Sequence, residues 1–295
     1  MTFNDKILVI ADLHLQSAEP DTLALALAFF KQAQGARHLY IIGDLFEYWL
    51  GDDCLDSESC NDSQPRDVWS DEIQSNELGF GEHRSGEHGS GNLGFGKIGS
   101  SNLHQSDPDS LEETISCVVT ALSSLSQSGT AITLMHGNRD FLLGDAFANE
   151  IGATLVRDDI LALNKVVLMH GDTLCTDDVE YQQFRAQVRD ADWQTDFLAK
   201  PVSEREAIAT ALRSGSKNAS RQKSIAIMDV NDDAVDQVFS QFGCQQLIHG
   251  HTHRPAIHQH ESGTRVVLGD WHADHAMVGI VKDGKIELLR FTTGL

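Results

Sequence analysis

The chain predicts an α/β fold, and three observations carry that prediction. Five short apolar, β-branched runs recur along it: KILVIADLH, HLYIIGDLFE, AITLMHGNRD, KVVLMHGDT and QQLIHGHTH. Continuous apolar runs of this length read as strands buried on both faces. Stretches with helical periodicity and helix-end signals separate several of them. Each run also ends in Asp, Asn or His, and the carboxyl ends of strands are where open α/β sheets hold ligands.

From the N-terminus, KILVIADLH supplies the first strand and delivers Asp12 and His14. PDTLALALAFFKQAQG follows as a helix, with Pro in its first turn and Gly past its last. HLYIIGDLFE is the second strand and ends at Asp44. Residues 54–109 are rich in Ser, Gly, Asn and acids, and they echo ELGFG as NLGFG. Without apolar periodicity they read as a disordered or loosely ordered insertion, and their His83, His88 and His104 as parts of a solvated loop. SLEETISCVVTALSSLSQSG is the next helix, and AITLMHGNRD the strand that delivers Asn138, Arg139 and Asp140. KVVLMHGDT brings His170. Residues 178–225 are helical in pattern, and the helix VNDDAVDQVFSQFG precedes QQLIHGHTH with His251 and His253. TRVVLGDWH, AMVGIVKDG and KIELLRF then crowd together around a Lys-Asp-Gly-Lys turn, predicting an antiparallel run that closes a second sheet.

With 295 residues and 41% apolar content, the chain can bury one large core or two modest ones. A net charge of -22 argues against a protein that binds nucleic acid over its whole surface. Cys54, Cys60, Cys117, Cys175 and Cys244 are odd in number and form no C-x-x-C pair, so free thiols in a reducing compartment are expected. The N-terminus has an acid ahead of its apolar run and no small-residue cleavage site, and LALALAFF is too short to span a bilayer. A soluble cytoplasmic protein is the expectation. Between Arg185 and Lys223 there are eight Lys or Arg against five acids. This basic island is either a solvated helical face or a site for an anion.

The strand ends offer three oxygen donors (Asp12, Asp44, Asn138) and four imidazoles (His14, His170, His251, His253). In an extended segment residues i and i+2 share a face, so D-x-H and H-x-H each aim a pair at one centre. A single such pair is weak, whereas seven donors at five strand ends are not. Seven exceed the needs of one metal with an open position and suit two metals sharing one carboxylate. Asp44, the sole donor of its strand end, is the natural bridge. Two divalent ions about 3.5–4 Å apart are the common arrangement for cleaving phosphate esters and anhydrides, with a hydroxide held between them. Mixed N and O donors without thiolate favour Mn, with Fe, Zn or Co as substitutes.

The set D-x-H, G-D-x-x-E, G-N-R-D, H-G-D and G-H-T-H resembles that of the calcineurin-like metallophosphoesterases. Within them ADLHL, GDLFEYWLGDD, HGNRDFLLG, MHGDTLCTDD, SIAIMDVN and IHGHTHRP are similar to the UDP-2,3-diacylglucosamine diphosphatases of lipid A biosynthesis, over nearly the whole chain outside 54–109. The resemblance implies a two-sheet β-sandwich flanked by helices. Residues 1–53, 110–177 and 226–295 would form the core, and 178–225 a small helical cap. It implies two Mn ions per chain, one held by Asp12, His14, Asp44 and His253, the other by Asp44, Asn138, His170 and His251. Asp44, Asn138, Arg139 and His251 would be catalytic. Asn138, Arg139, Asp178, Tyr181, Ser216, Lys223 and His251 would meet the substrate, with Ser220 where the family's pattern has Asn.

Many metallophosphoesterases place His after the Asn ligand, as a general acid for an alkoxide leaving group. Arg139 occupies that position here and cannot release its proton. A phosphoanhydride, whose leaving group is already a stable anion, suits such a site, and Arg139 would pair with the phosphoryl oxygens. The implied reaction yields UMP and 2,3-diacylglucosamine 1-phosphate by attack of the bridging hydroxide on the α-phosphorus. Trp49, Phe141, Phe184, Trp193 and Phe197 are candidates for an acyl groove, with core packing as their other reading. A diacylated substrate implies peripheral contact with the anionic cytoplasmic face of the inner membrane, through the basic island. No protein partner is implied. Two other readings stay open, a soluble nucleotide-sugar pyrophosphatase and a non-catalytic scaffold.

Overall fold

Burial on both faces explains why the strand signals are so clear. The computed structural model describes residues 3–55, 111–223, 227–282 and 285–293, with the side chains of 216–222 and 285 outside that description. The strands are β1 (Ile7–Ile10), β2 (His38–Ile42), β3 (Ala131–Met135), β4 (Thr154–Val156), β5 (Ile160–Leu163), β6 (Val166–Met169), β7 (Gln246–His249), β8 (Ala256–His260), β9 (Gly263–Val267), β10 (Ala276–Lys282) and β11 (Lys285–Phe291). The helices are α1 (Pro20–Gln32), α2 (Leu111–Gln127), α3 (Asp145–Glu150), α4 (Val179–Val188), α5 (Ala191–Leu198), α6 (Val202–Gln222) and α7 (Asp232–Phe242).

Two sheets run in the orders β11-β10-β1-β2-β3-β4 and β5-β6-β7-β9-β8. Alternation along β1 shows how they stack. Leu8 and Ile10 join Phe29, Val118 and Leu122 in a core under α1 and α2. Val9 and Ala11 face the other way and pack with Leu168, Ile248 and Val266 between the sheets. On the outer face of the second sheet Val167, Met169 and Leu247 meet Val235, Val238 and Phe239 of α7. The result is helix, sheet, sheet, helix, the two-sheet sandwich that the resemblance implies.

The five runs divide between the sheets, β1 to β3 in the first and β6 and β7 in the second. The C-terminal antiparallel run needs correction, because only β9 enters the second sheet. β10 instead pairs antiparallel with β1, through Ile7↔Val281 and Val9↔Gly279, and carries β11 with it. The reason is burial: Ala276, Val278 and Ile280 fill the core under α1, while Val281 packs against the core between the sheets. A strand apolar on both faces fits only where both faces are covered. β4, β5 and β8 have no signal in the sequence, since they are short edge strands with no fully buried residue.

The predicted insertion, with Cys60, His83, His88 and His104, lies outside the described residues apart from Cys54 and Leu55. Those two end a 3-10 turn (Asp52–Leu55), and Cys54 is buried with Leu50 and Phe197. Cys117, Cys175 and Cys244 are free thiols. No helix among the described residues is long and apolar enough to cross a membrane.

Helices α4 to α6 follow the tip of β6. Arg205 of α6, 2% exposed, ties them to the 48–54 segment by donating to Leu50 O and to both carboxylate oxygens of Asp53. Charge-assisted bonds of this kind contribute about 1.5–3 kcal/mol. Asp53 is half exposed and rehydrates when released. Arg205→Met is therefore expected to lower the urea midpoint by the equivalent of about 1–2 kcal/mol. An unchanged midpoint would show that the tether contributes nothing.

Candidate metal centre

All seven predicted donors meet beyond the carboxyl ends of β1, β2, β3, β6 and β7. The backbone that aims them is not extended. Asp12 and His14 have φ of 55° and 49°, Asp44 55°, His251 64° and His253 55°. These are five of the seven non-glycine residues with positive φ among the described residues. That conformation is uncommon for residues with a Cβ and costs on the order of 1 kcal/mol or more each, and it gathers at functional sites. The expectation from i, i+2 alternation is corrected accordingly. Each pair converges because its two members are both folded into the left-handed region, with β1 already ended at Ile10.

The donors close around two groups. Ligand atoms of Asp12, His14 and His253 lie within 4.8 Å of one another, as do those of Asp12, Asp44 and His170. Asp44 Oδ2 is 3.7 Å from His14 Nε2 and 3.6 Å from His170 Nε2, midway between the groups. Its other oxygen, Oδ1, accepts from Arg139 N at 2.8 Å. Asn138 Oδ1 is 2.9 Å from His170 Nε2 and 2.8 Å from His251 Nδ1. Asp12 reaches both groups, more than its predicted place in one of them.

Glycines let the backbone pass the carboxylates. A Cβ on Gly137 would stand 2.0 Å from Asp44 Oδ1, and one on Gly250 2.3 Å from Asp12 Oδ2. Gly137→Ala must displace Asp44. Turnover is expected to fall by about 100-fold, since a shift of about 1 Å costs that much in a positioned site, with weaker metal retention in the folded protein. A fully active Gly137→Ala enzyme would mean that Asp44 has slack.

The donor chemistry fits divalent cations. His14 Nε2 and His253 Nε2 face each other at 3.1 Å, an approach that a shared cation accounts for. Three imidazoles have their far nitrogen engaged: His14 Nδ1 is 2.9 Å from Glu47, His253 Nδ1 3.3 Å from Asp270, and His170 Nδ1 3.1 Å from Ile42 O. Such outer contacts are the usual way to turn an imidazole toward a metal. Burial pushes the Asp12 carboxyl up and works against charge on Asp44 too, but His170, His14 and Arg139 hold Asp44 below the usual carboxylate range. His14 is raised to about 9: burial opposes its charge, but Glu47, Asp44 and Asp12 outweigh it. His251 is lowered to about 4 by burial and by His170. Buried carboxylates that draw protons onto a neighbouring ring are a site short of positive charge.

Beside the donors opens a cleft. Its lining includes Asn138, Arg139 and Tyr181, and all five candidate groove aromatics. Trp49 and Phe197 are nearly buried, which bears out their packing reading, while Phe184 is 37% exposed. The Arg139 guanidinium makes no hydrogen bond or ion pair among the described residues. Its salt bridge to Asp140 is excluded: Asp140 is buried and accepts from the backbone of Asp44, Leu45 and Gly137. Tyr181 donates its hydroxyl to Asp172 at 2.8 Å, and its ring centre lies 5.7 Å from that of His251. Lys223 Nζ meets Asp178 at 2.6 Å. Ser216 and Ser220 fall on α6, with side chains outside the described residues. Among the basic island's described side chains, Arg185, Lys200, Arg205, Arg213 and Lys223 each have a carboxylate partner, and Arg189 donates to Gly137 O.

Over 292 residues the chain is 39% identical to the UDP-2,3-diacylglucosamine hydrolase of Escherichia coli O7:K1, covering 96% of this chain and 98% of that one. The enzyme of that name from Enterobacter sp. strain 638 is 40% identical over the same shares. The chain belongs to the UDP-2,3-diacylglucosamine hydrolase family. No family model matches it. An archaeal phosphodiesterase structure aligns over 98% of this chain and 99% of that one, at 10% identity and a TM-score of 0.40, too distant to carry weight.

Supporting residues of this hydrolase-family site escape the sequence. Asp140 positions Asp44 from behind. Glu47 holds His14 and, through its other oxygen, Arg213 at 2.9 Å. Asp270 holds His253. Glu47 and Asp140 stand inside the motifs G-D-x-x-E and G-N-R-D, which was the available signal.

Proposed function

We propose that the protein hydrolyses the pyrophosphate bond of UDP-2,3-diacylglucosamine, the compound in its relatives' names, releasing UMP and 2,3-diacylglucosamine 1-phosphate. One observation carries this reading: the donor cluster opens, past an Arg139 guanidinium with no partner among the described residues, into a cleft lined with aromatic side chains. A phosphoanhydride with acyl chains needs both halves of that arrangement.

Asp12, His14, Asp44 and His253 would hold one divalent cation, and Asp44, Asn138, His170 and His251 the other, with Mn the proposed ion. Two such cations supply water activation and electrophilic stabilisation of phosphoryl oxygens. The chain's own groups do the rest. Arg139 binds the phosphoryl oxygens and stabilises charge that grows on them. Asn138 and His251 fix the phosphate from the other side. Residues 178–225 act as the cap over a core of 1–53, 110–177 and 226–295. There Lys223, held by Asp178, offers a cation at the C-terminal end of α6, and Tyr181, Ser216 and Ser220 complete the polar contacts. Phe141, Phe184 and Trp193 enclose acyl chain and exclude water.

Peripheral contact with the cytoplasmic face of the inner membrane belongs to the same reading. Since the island's described cations are mostly paired, this contact is assigned to exposed apolar residues of α4 and α5, Val179, Phe184 and Leu198.

UMP release from the diacylated substrate and from UDP-N-acetylglucosamine tests the reading in Mn-containing buffer. At equal subsaturating concentration the diacylated compound is expected to turn over at least about 100-fold faster, because buried acyl methylenes contribute about 0.8 kcal/mol each. Equal rates would replace it with a soluble nucleotide-sugar pyrophosphatase. Metal-free, inert protein would indicate a scaffold.

A further inference from the structure

Two enclosed guanidinium groups are matched with carboxylates: Arg205 with Asp53, and Arg185 with Asp159 and Asp172. Arg265 on β9 is not. It is 6% exposed, and its hydrogen-bond partners are two imidazoles, His249 Nε2 at 3.2 Å from Nη1 and His260 Nε2 at 3.4 Å from Nε. His249 Nδ1 lies 2.8 Å from Gly250 O and donates there, which leaves Nε2 as a neutral acceptor for Arg265. Such a ring satisfies an N–H without cancelling the charge. Asp229, in the wall of the cleft that Arg265 lines, pairs with Arg254 at 2.6 Å, and Asp229 and Asp232 act on Arg265 only from beyond ion-pairing distance. Among the described residues no carboxylate comes within ion-pairing distance of Arg265.

Burying a cation without an anion is costly, so a missing partner is the first thing to look for. Arg265 lines a cleft together with Thr252, Arg254, His258 and the Arg254-paired Asp229, and none of the seven metal donors lines it. The Thr252 hydroxyl is buried and has no hydrogen-bond partner among the described residues. Two guanidinium groups, a spare hydroxyl and an imidazole offer donors from several directions, which suits the oxygens of a tetrahedral anion better than a planar carboxylate.

We infer that this cleft, bounded by Arg265, Arg254, His258 and Thr252, is a second anion site that takes the phosphate group of a small molecule. It is separate from the metal centre and goes beyond the hydrolase reading. Thr252 stands between the donors His251 and His253, so an occupant held there is coupled to the loop that aims them.

Histidine side-chain NMR on the full-length protein loaded with diamagnetic Zn in place of Mn, which would broaden nearby ring signals, tests the site, with inorganic phosphate and UMP titrated separately. The His258 ring signal is expected to shift saturably. Arg265→Gln keeps a donor for His249 and removes the charge. It should weaken the phosphate response of His258 by roughly tenfold or more and leave that of the metal-site imidazoles in place. Phosphate should raise the Tm of the parent protein above that of the variant. If Arg265→Gln does not fold, Thr252→Val serves instead and should weaken the response by a few-fold. A tighter response to UMP identifies a phosphate monoester as the occupant, and an equal one free phosphate. A His258 signal unmoved by either, or moved equally in the substituted protein, overturns the site. None of these readouts depends on turnover, so loss of the hydrolase reading would leave them unaffected.

Discussion

Asp44→Ala is expected to remain folded and to lose UMP release by at least about 10³-fold, because a two-metal centre loses both its shared ligand and its spacing. Two features of Asp44 make the effect large. Its Oδ2 is nearly equidistant from His14 Nε2 and His170 Nε2, at 3.7 and 3.6 Å, so one atom serves both groups. Its Oδ1 fixes the Arg139 backbone at 2.8 Å, which sets where the Arg139 side chain begins. Asp44→Asn separates the two roles. The amide oxygen keeps the bond from Arg139 N, but the negative charge is gone. Bound metal should fall in both variants by elemental analysis, with the Arg139 backbone held only in Asp44→Asn. A chelator should silence the parent protein and added Mn restore it. Full-speed turnover by Asp44→Ala, or indifference to chelation, would sink the dinuclear reading.

The donors were legible because strands buried on both faces must be apolar until they leave the sheet. A polar residue at each of five strand ends then stands out. What holds the donors was not legible, for separate physical reasons. Left-handed φ at Asp12, His14, Asp44, His251 and His253 is not legible from residue type: Asp and His favour that region more than most residues, but they occur in many other conformations as well. Asp140 and Arg139 are adjacent in sequence and oppositely charged, which suggests a pair. Burial decides otherwise: Asp140 turns inward to three backbone amides. The basic island illustrates the same limit. Counting charge along 185–223 cannot see that the partners of Arg185, Arg205 and Arg213 lie in distant segments, at Asp172, Asp53 and Glu47. The sandwich itself was half legible. Apolar runs identify strands but not their sheet, and β10 went to the sheet whose edge still exposed apolar faces.

Arg139→Met should keep the stability of the parent protein within about 0.5 kcal/mol, because the guanidinium gives up no described partner. Its backbone bond to Asp44 survives the substitution, so the change is confined to the side chain. Turnover should nevertheless fall by about 10²–10³, the usual loss when a donor aimed at developing charge is removed. The loss should appear in kcat more than in KM, since the charge on the phosphoryl oxygens grows toward the transition state. Arg139→Lys should recover only part of it, a point charge replacing a planar fork. The leaving group provides a second axis. Arg139 supplies no proton, so the parent enzyme should cleave an anhydride far faster than an ester with an alkoxide leaving group. Arg139→His places an acid at the same position. It should narrow that gap by raising the relative rate on the ester, while the anhydride rate stays low for want of the guanidinium. An Arg139→Met protein with unaltered kcat, or an Arg139→His protein with the parent's leaving-group preference, would remove Arg139 from the chemistry and leave only the donor cluster to account for it.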